Sequence, residues 1–344
     1  MRYKPLGNSG LLISELALGT MIFGEQSERG AAPEQAERII HRYIDAGGNH
    51  IDTADVYASG RSEQIIGQAL QGKREQVILA TKLRFALQEG VNEQGLSRYH
   101  LMRAVEGSLR RLQTDVIDLL YVHAWDPLTP LEETLRALDD LVAAGKVRYL
   151  GVSNFKAWQL MKALSISDRQ GWARFIAAQY QYSLVVRDIE QEFIDLCAAE
   201  GLGLVPWGPL GGGFLSGKYR TGQRPEDPAE GRLAITPDKD EEAWDRRANE
   251  RNWRILEEIE RVLAAHPGAT HSQVALAWLL TRPAVASVIL GVRTMAQLED
   301  NLAAADLALS AEQIASLDRV STPAIGYPYR YLGIYGTRPE VSSE

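Results

Sequence analysis

Short apolar runs recur along the chain, each followed by a longer stretch that alternates polar and apolar faces. The runs are ELALGT (15–20), NHID (49–52), QVILATK (76–82), VIDLLYVH (116–123), VRYLGVS (147–153), RFIAAQYQ (174–181), GLVPW (203–207) and ASVILG (286–291). Apolar residues fall at helical spacing over 33–46, 61–71, 98–112, 131–144, 155–164, 188–200, 251–265 and 294–305. Strands apolar on both faces belong in a parallel sheet covered by helices. Eight such units in a chain of this length predict an α/β fold, a closed (β/α)8 TIM barrel, rather than an open doubly wound sheet.

Local punctuation agrees with that pattern. Gly47-Gly48 and Gly145 stand where helices end, and Ser97 and Thr294 stand where helices begin. RYKPLGNSGLLIS reads as a hairpin around Gly-Asn-Ser-Gly, and this cap (1–14) has no barrel strand to join. It is expected to plug the bottom of the barrel. One connection, 208–249, is long and rich in Gly, Pro and charge, and it follows the seventh strand. Its place predicts a functional lid on the C-terminal face of the barrel. The tail, 321–344, holds four tyrosines without a period, so covering that face and lying apart from it both stay open. The chain 1–344 is read as one domain.

Composition narrows the function classes. Of 344 residues, 45% are hydrophobic and 24% charged, ample for a large core. The net charge of −8 argues against nucleic acid or an anionic membrane as a partner, though not against one phosphate held by one arginine. Cys197 is the only cysteine, which excludes an intramolecular disulfide and suits a reducing compartment. The N-terminus MRYKPLGNSG has no apolar signal core and no run is long enough to span a bilayer, so a cytoplasmic location is expected. Monomer and homo-oligomer are both compatible with these totals.

In a barrel, the residues at the strand ends converge on one mouth. Here they are Thr20, Asp52, Lys82, His123, Ser153-Asn154, Gln179, Trp207, and Gly291 with Arg293. Five residues beyond Asp52 stands Tyr57. Lys82 held by Asp52 would lower the pKa of Tyr57 from about 10 and poise it as a general acid. His123 would then donate a hydrogen bond to a carbonyl oxygen as negative charge grows on it. That set suits hydride reduction of an aldehyde or ketone. Metal chemistry is a weaker reading, because His50 is expected in a lower barrel layer as a packed neutral histidine. A Schiff-base aldolase would use Lys82 but leaves Trp207, Ser153-Asn154 and the Arg293 segment without a role. The glycines 211–213 lack the spacing of a Rossmann fingerprint.

IDTADVY, ILATK, VHAWD, GKVRYLGVSNF and PWGPLGGGFLSGKY together resemble the aldo-keto reductase family, in the family's order and over nearly the whole chain. The resemblance implies a catalytic tetrad of Asp52, Tyr57, Lys82 and His123, and a bound NADPH. It implies that Ser153, Asn154 and Gln179 hold the carboxamide, that Trp207 stacks on the nicotinamide, and that Gly19, Thr20 and Met21 lie against the cofactor with Asp52. Gly208, Pro209, Leu210 and Lys218 match the loop over the pyrophosphate. Gly291, Arg293, Gln297, Asp300 and Asn301 match residues around the adenosine end, with Arg293 a fork donor for a 2′-phosphate. Some members carry arginine where this chain has Gln297, so NADH stays open beside NADPH. Phe23, Trp125 and Tyr331 are expected to wall the substrate pocket, with Met21, Tyr327 and Tyr329 beside them. VHAWDPLTPLEETL and WGPLGGGFLSGKY also resemble members that act as cofactor-binding subunits of a membrane channel, so a slowly turning redox sensor remains an alternative.

Overall fold

The computed structural model describes residues 1–27 and 30–336. β1 (Tyr3–Pro5) and β2 (Leu12–Ser14) form the antiparallel hairpin. Eight further strands follow: β3 (Leu16–Gly19), β4 (His50–Asp52), β5 (Ile78–Leu83), β6 (Ile117–Val122), β7 (Val147–Ser153), β8 (Phe175–Gln179), β9 (Gly203–Leu204) and β10 (Val288–Gly291). Each of these lies parallel to the next, and β10 returns to pair with β3. A parallel bridge between Leu204 and Val285, and the Ile289 N–H to Pro206 C=O bond at 3.0 Å, close β10 on the β9 side. The sheet is therefore a barrel.

The strands alternate cleanly between two cores. Leu16, Leu18, Ile51, Leu79, Leu83, Leu120, Val122, Leu150 and Val152 point outward into the layer shared with the helices. Ala17, Ala80, Leu119, Tyr121, Ala177 and Ile289 point inward. Leu6 and Ile13 of the hairpin are completely buried in that inner cluster, so the hairpin plugs the floor. The plug needs Gly7, whose φ is +57° and whose added Cβ would lie 2.4 Å from the Gly201 oxygen.

The outer layer begins with α1 (Pro33–Asp45), α2 (Arg61–Ala69), α3 (Arg98–Leu112), α4 (Leu131–Ala143), α5 (Ala157–Gln170) and α6 (Phe193–Glu200). α1 shows the physical reason for such a helix. Pro33 opens it without wasting an N–H, and Ala36, Ile39, Ile40 and Tyr43 bury one stripe. Ser97 caps α3 by accepting the His100 N–H. Within 208–249 lie two one-turn helices, α7 (Arg232–Ile235) and α8 (Trp244–Arg247), so the long connection is more ordered than its composition suggests. Then come α9 (Glu250–Leu263), α10 (His271–Leu280), α11 (Met295–Leu302), α12 (Ala311–Ser321) and α13 (Tyr329–Tyr335).

Three helices go beyond the sequence-based expectation. α10, HSQVALAWLL, is apolar all round and buried on nearly every side, so periodicity cannot reveal it; its Thr270/Gln273 capping box is the signal that could have. α12 and α13 fall in and before the stretch read as an aperiodic tail, and tail residues 337–344 lie outside the described residues. No helix among the described residues is long and apolar enough to cross a membrane.

Candidate active site

Inward-facing positions on the barrel strands carry the polar residues singled out above. On β4 the inward residues are His50 and Asp52; on β5, Ala80 and Lys82; on β6, Leu119 and Tyr121, with His123 next in that series. β7 and β8 end on Ser153 and Gln179, which pair directly across the sheet. Strand periodicity thus forces this set to one end of the barrel.

The centre is a tight chain of contacts. Lys82 Nζ lies 2.5 Å from Asp52 Oδ1, 2.8 Å from the Thr53 carbonyl and 3.2 Å from the Tyr57 hydroxyl. Asp52 Oδ2 accepts from Gln179 Nε2 at 2.8 Å. Lys82 and Asp52 are almost completely buried. Burial alone would drain charge from the lysine, but the Asp52 carboxylate and the Tyr57 oxygen raise its pKa above the ordinary value. The ammonium is kept.

At Tyr57 the expectation is reversed. Burial raises the phenol's pKa by more than the Lys82 charge lowers it, Asp52 adds to the rise, and the Lys82 hydrogen bond and Arg232 oppose it. Tyr57 is therefore held protonated rather than poised near neutrality. Burial, with the charges of Lys82 and Arg84, pushes the His123 pKa down to about 3. His123 is a neutral ring, 6.1 Å from the Tyr57 ring and edge-on to it, and its Nδ1 meets no partner among the described residues. Its carbonyl accepts from Asn154 Nδ2, which also reaches Ser153 Oγ, both at 2.9 Å. Thr20 holds the other side, its N–H and hydroxyl both donating to the Asp52 carbonyl at 3.0 Å.

His50 lies below the centre, completely buried, with Nδ1 3.1 Å from Ser287 Oγ and a pKa pulled by burial to about 4. Asp55 is also buried, and burial with the Glu63 charge pushes its pKa up to about 7. Glu63 itself accepts from Thr81 at 2.6 Å and from Arg111 at 2.7 Å.

Beside this centre runs a glycine track. Gly208, Gly211, Gly212 and Gly213 have φ of 65°, 57°, 70° and 88°. A Cβ on Gly211 would come 2.6 Å from Val185, and one on Gly212 2.9 Å from Leu233. The Trp207 indole N–H at its start is buried without an acceptor among the described residues. Lys218 flanks the track, and its pKa is lowered by burial and by the charge of Arg293, two cations brought together from distant segments. Arg232 adds a third, pairing with the buried Glu242 carboxylate at 2.7 Å. A close backbone track beside clustered cations fits a dinucleotide's phosphates, and the unsatisfied indole N–H fits a hydrogen-bond acceptor beside it.

Other expected residues are placed differently. Phe23 has no exposed surface and sits in the core between sheet and helices, because the chain turns inward there to bridge to Ala31; it forms no wall of the mouth. Tyr331 is 54% exposed on α13, and its ring meets Tyr327 and Tyr335, so the structure does not bring it to the centre. Trp125 packs edge-on against Phe155 at 5.1 Å and beside Trp158. Gln297 Oε1 is committed to capping α11, accepting from the Arg293 and Thr294 N–H groups. Asp300 accepts from Thr270 and Gln273 of the α10 cap. Sequence reasoning passed over Arg84, Arg232 and Glu242. Arg84 alone had a signal, its place just beyond the strand that carries Lys82.

The family model described as "Aldo/keto reductase family" matches residues 15–322. A "Probable voltage-gated potassium channel subunit beta" of Oryza sativa subsp. japonica is 36% identical, the match covering 89% of this chain and 92% of that protein. The "Versiconal hemiacetal acetate reductase" of Aspergillus parasiticus is 32% identical over 95% of this chain and 99% of its own. The "Uncharacterized oxidoreductase YrpG" of Bacillus subtilis (strain 168) is 35% identical over 93% and 96%. With its eight-stranded parallel barrel, the chain belongs to the aldo/keto reductase family, and it is an oxidoreductase.

Proposed function

We propose that the protein reduces an aldehyde or ketone to an alcohol with NADPH, Tyr57 supplying the proton. The observation that carries this is the buried Asp52–Lys82–Tyr57 chain beside a neutral His123. When bound, NADPH supplies a hydride to the carbonyl carbon. The Tyr57 hydroxyl gives its proton to the carbonyl oxygen as charge develops there. Lys82, kept charged by Asp52, stabilises the phenolate that remains. His123 donates a ring N–H to the same oxygen, which a neutral imidazole can do without giving up its proton. Solvent returns the proton to Tyr57 after the alcohol leaves. Ser153, Asn154 and Gln179 would orient the carboxamide, Trp207 the ring, and the Gly208–Gly213 track with Lys218 the phosphates. Arg293 favours a 2′-phosphate, and hence NADPH over NADH.

Intrinsic tryptophan fluorescence titrated with each nucleotide tests the cofactor. Quenching by NADPH at lower concentration than by NADH is expected, and absence of quenching by both overturns the assignment. A second reading, a redox-sensing subunit that turns over slowly, is supported by the similarity to the rice channel subunit. Multiple turnovers of 4-nitrobenzaldehyde favour the enzyme; a single turnover followed by slow NADP+ release favours the sensor.

A further inference from the structure

Just past β5 stands Arg84. Ala80 faces the barrel interior with Lys82, Leu79 and Leu83 face the helices, and Arg84, the first residue beyond the strand, lies close enough to His123 for its charge to lower that ring's pKa. Its backbone is held at φ +153°, a region that side-chain-bearing residues rarely adopt, with its carbonyl accepting the Gly95 N–H at 2.8 Å. The guanidinium carbon lies 5.1 Å from the Phe85 ring centre, and Phe85 in turn rests edge-on against His123 at 4.9 Å. Arg84 thus lies one ring away from the imidazole proposed to meet the substrate oxygen.

This guanidinium feels one carboxylate, Asp126, without forming an ion pair to it. Its Nε is buried without an acceptor, and among the described residues it forms no ion pair. The carboxylate whose field it shares, Asp126, is already engaged by the Leu96 N–H at 2.8 Å, the Leu128 N–H at 3.0 Å and the Thr129 hydroxyl at 2.6 Å. A half-buried arginine without a partner is costly, and backbone strain at the same residue adds to that cost. Both make sense if an anion completes the site, because guanidinium binds a carboxylate through paired N–H donors.

We propose that Arg84 sets the substrate class: the mouth takes carbonyl compounds that carry a carboxylate at some distance from the reacting carbonyl. With a net charge of −8 the protein as a whole repels such molecules, so a local cation at the mouth is what would retain them. The proposal rests on the reductase reading above, and the test separates the two.

4-Carboxybenzaldehyde and 4-nitrobenzaldehyde share one ring and one para geometry, and the nitro compound is the more electrophilic. The wild-type protein is expected to favour the carboxylate in kcat/KM despite that. Arg84→Leu should lower the carboxy-to-nitro ratio roughly 10- to 100-fold, mostly through KM, and Arg84→Lys should restore part of it. A ratio that Arg84→Leu leaves unchanged overturns the proposal, as does a wild type without preference. Calorimetric titration of the NADP+-loaded protein with 4-carboxybenzaldehyde measures binding without turnover. Binding at least tenfold weaker in Arg84→Leu supports the proposal, and equal binding overturns it. Arg84-dependent binding in a protein that reduces neither aldehyde would count against the reductase reading alone.

Discussion

At Tyr57 two effects oppose each other: an ammonium 3.2 Å away favours the phenolate, and burial favours the phenol. Burial wins, which keeps the proton of Tyr57, the proposed donor, in place throughout the neutral range. Reduction should therefore hold a flat kcat from about pH 6 to 9, since His123, with a pKa of about 3, also stays neutral there. Alcohol oxidation needs the phenolate and should rise with pH across the same interval. A bell centred near pH 7 in stopped-flow hydride transfer would contradict this. Tyr57→Phe should cut reduction by roughly 10²- to 10⁴-fold while nucleotide affinity, read by fluorescence, stays within about twofold. Asp55 offers a test of stability. Its pKa is raised from 3.8 to about 7 by burial and by Glu63, against Arg111 and Lys82. The native state thus binds more protons than the unfolded one between about pH 4 and 7, and the stability contributed by protonated Asp55 is lost as pH rises through that window. Asp55→Asn should gain on wild type across it, by roughly 2–4 kcal/mol above pH 7 and by almost nothing near pH 4, in denaturant titrations. Asp52, Lys82 and His123 were legible because strand parity decides where they point. Phe23 was not, because the path of the chain after a strand is set by tertiary packing, and neither was the balance at Tyr57, because burial is invisible in a sequence.

Elements were legible where a face is half buried. α1, α3 and α4 show one apolar stripe and lie within a residue or so of their expected spans. α10 escaped because it has no polar face to create a period. Its Trp278 has no exposed surface, donates to Asp318 at 2.9 Å, and is flanked by the Arg187 and Arg282 guanidinium groups at 5.3 and 4.3 Å from its ring. Trp278→Ala removes that packing and leaves two cations without their aromatic platform. A loss of about 3–5 kcal/mol in unfolding free energy is expected by urea titration, with Tyr57 chemistry retained in the folded fraction. The connection 208–249 behaves oppositely: its Gly- and Pro-rich composition hides two one-turn helices, and short-range cues could not foresee Glu242 buried against Arg232.

For the molecule as a whole, the eightfold rhythm was sufficient to specify a closed barrel, because only closure gives every parallel strand two neighbours and a covered face. Ligand linkage should be visible at this scale. NADPH at about 100 times its Kd should add about 2.7 kcal/mol to stability, or about 5 °C in Tm, and NADH at the same concentration should add less. Equal shifts would remove the 2′-phosphate preference attributed to Arg293. The barrel is also unevenly fastened. β9 contributes only Gly203 and Leu204, and no ladder joins it to β10: the Leu204–Val285 bridge, made by the Leu204 and Ala286 amides, and the Ile289 N–H to Pro206 C=O bond hold that side. Trp207, the glycine track and the rest of the connection 208–249 all follow that same strand. The door is hung on the loosest stave. If the proposed nucleotide leaves by this side, its exchange is expected to proceed by fraying one seam while the other strands stay shut, which would make the pace of turnover a property of the wall as much as of the chemistry inside it. The amides of Leu204 and Ala286, which stitch the seam, should exchange hydrogen faster than those of β5 and β6 and slow when nucleotide binds.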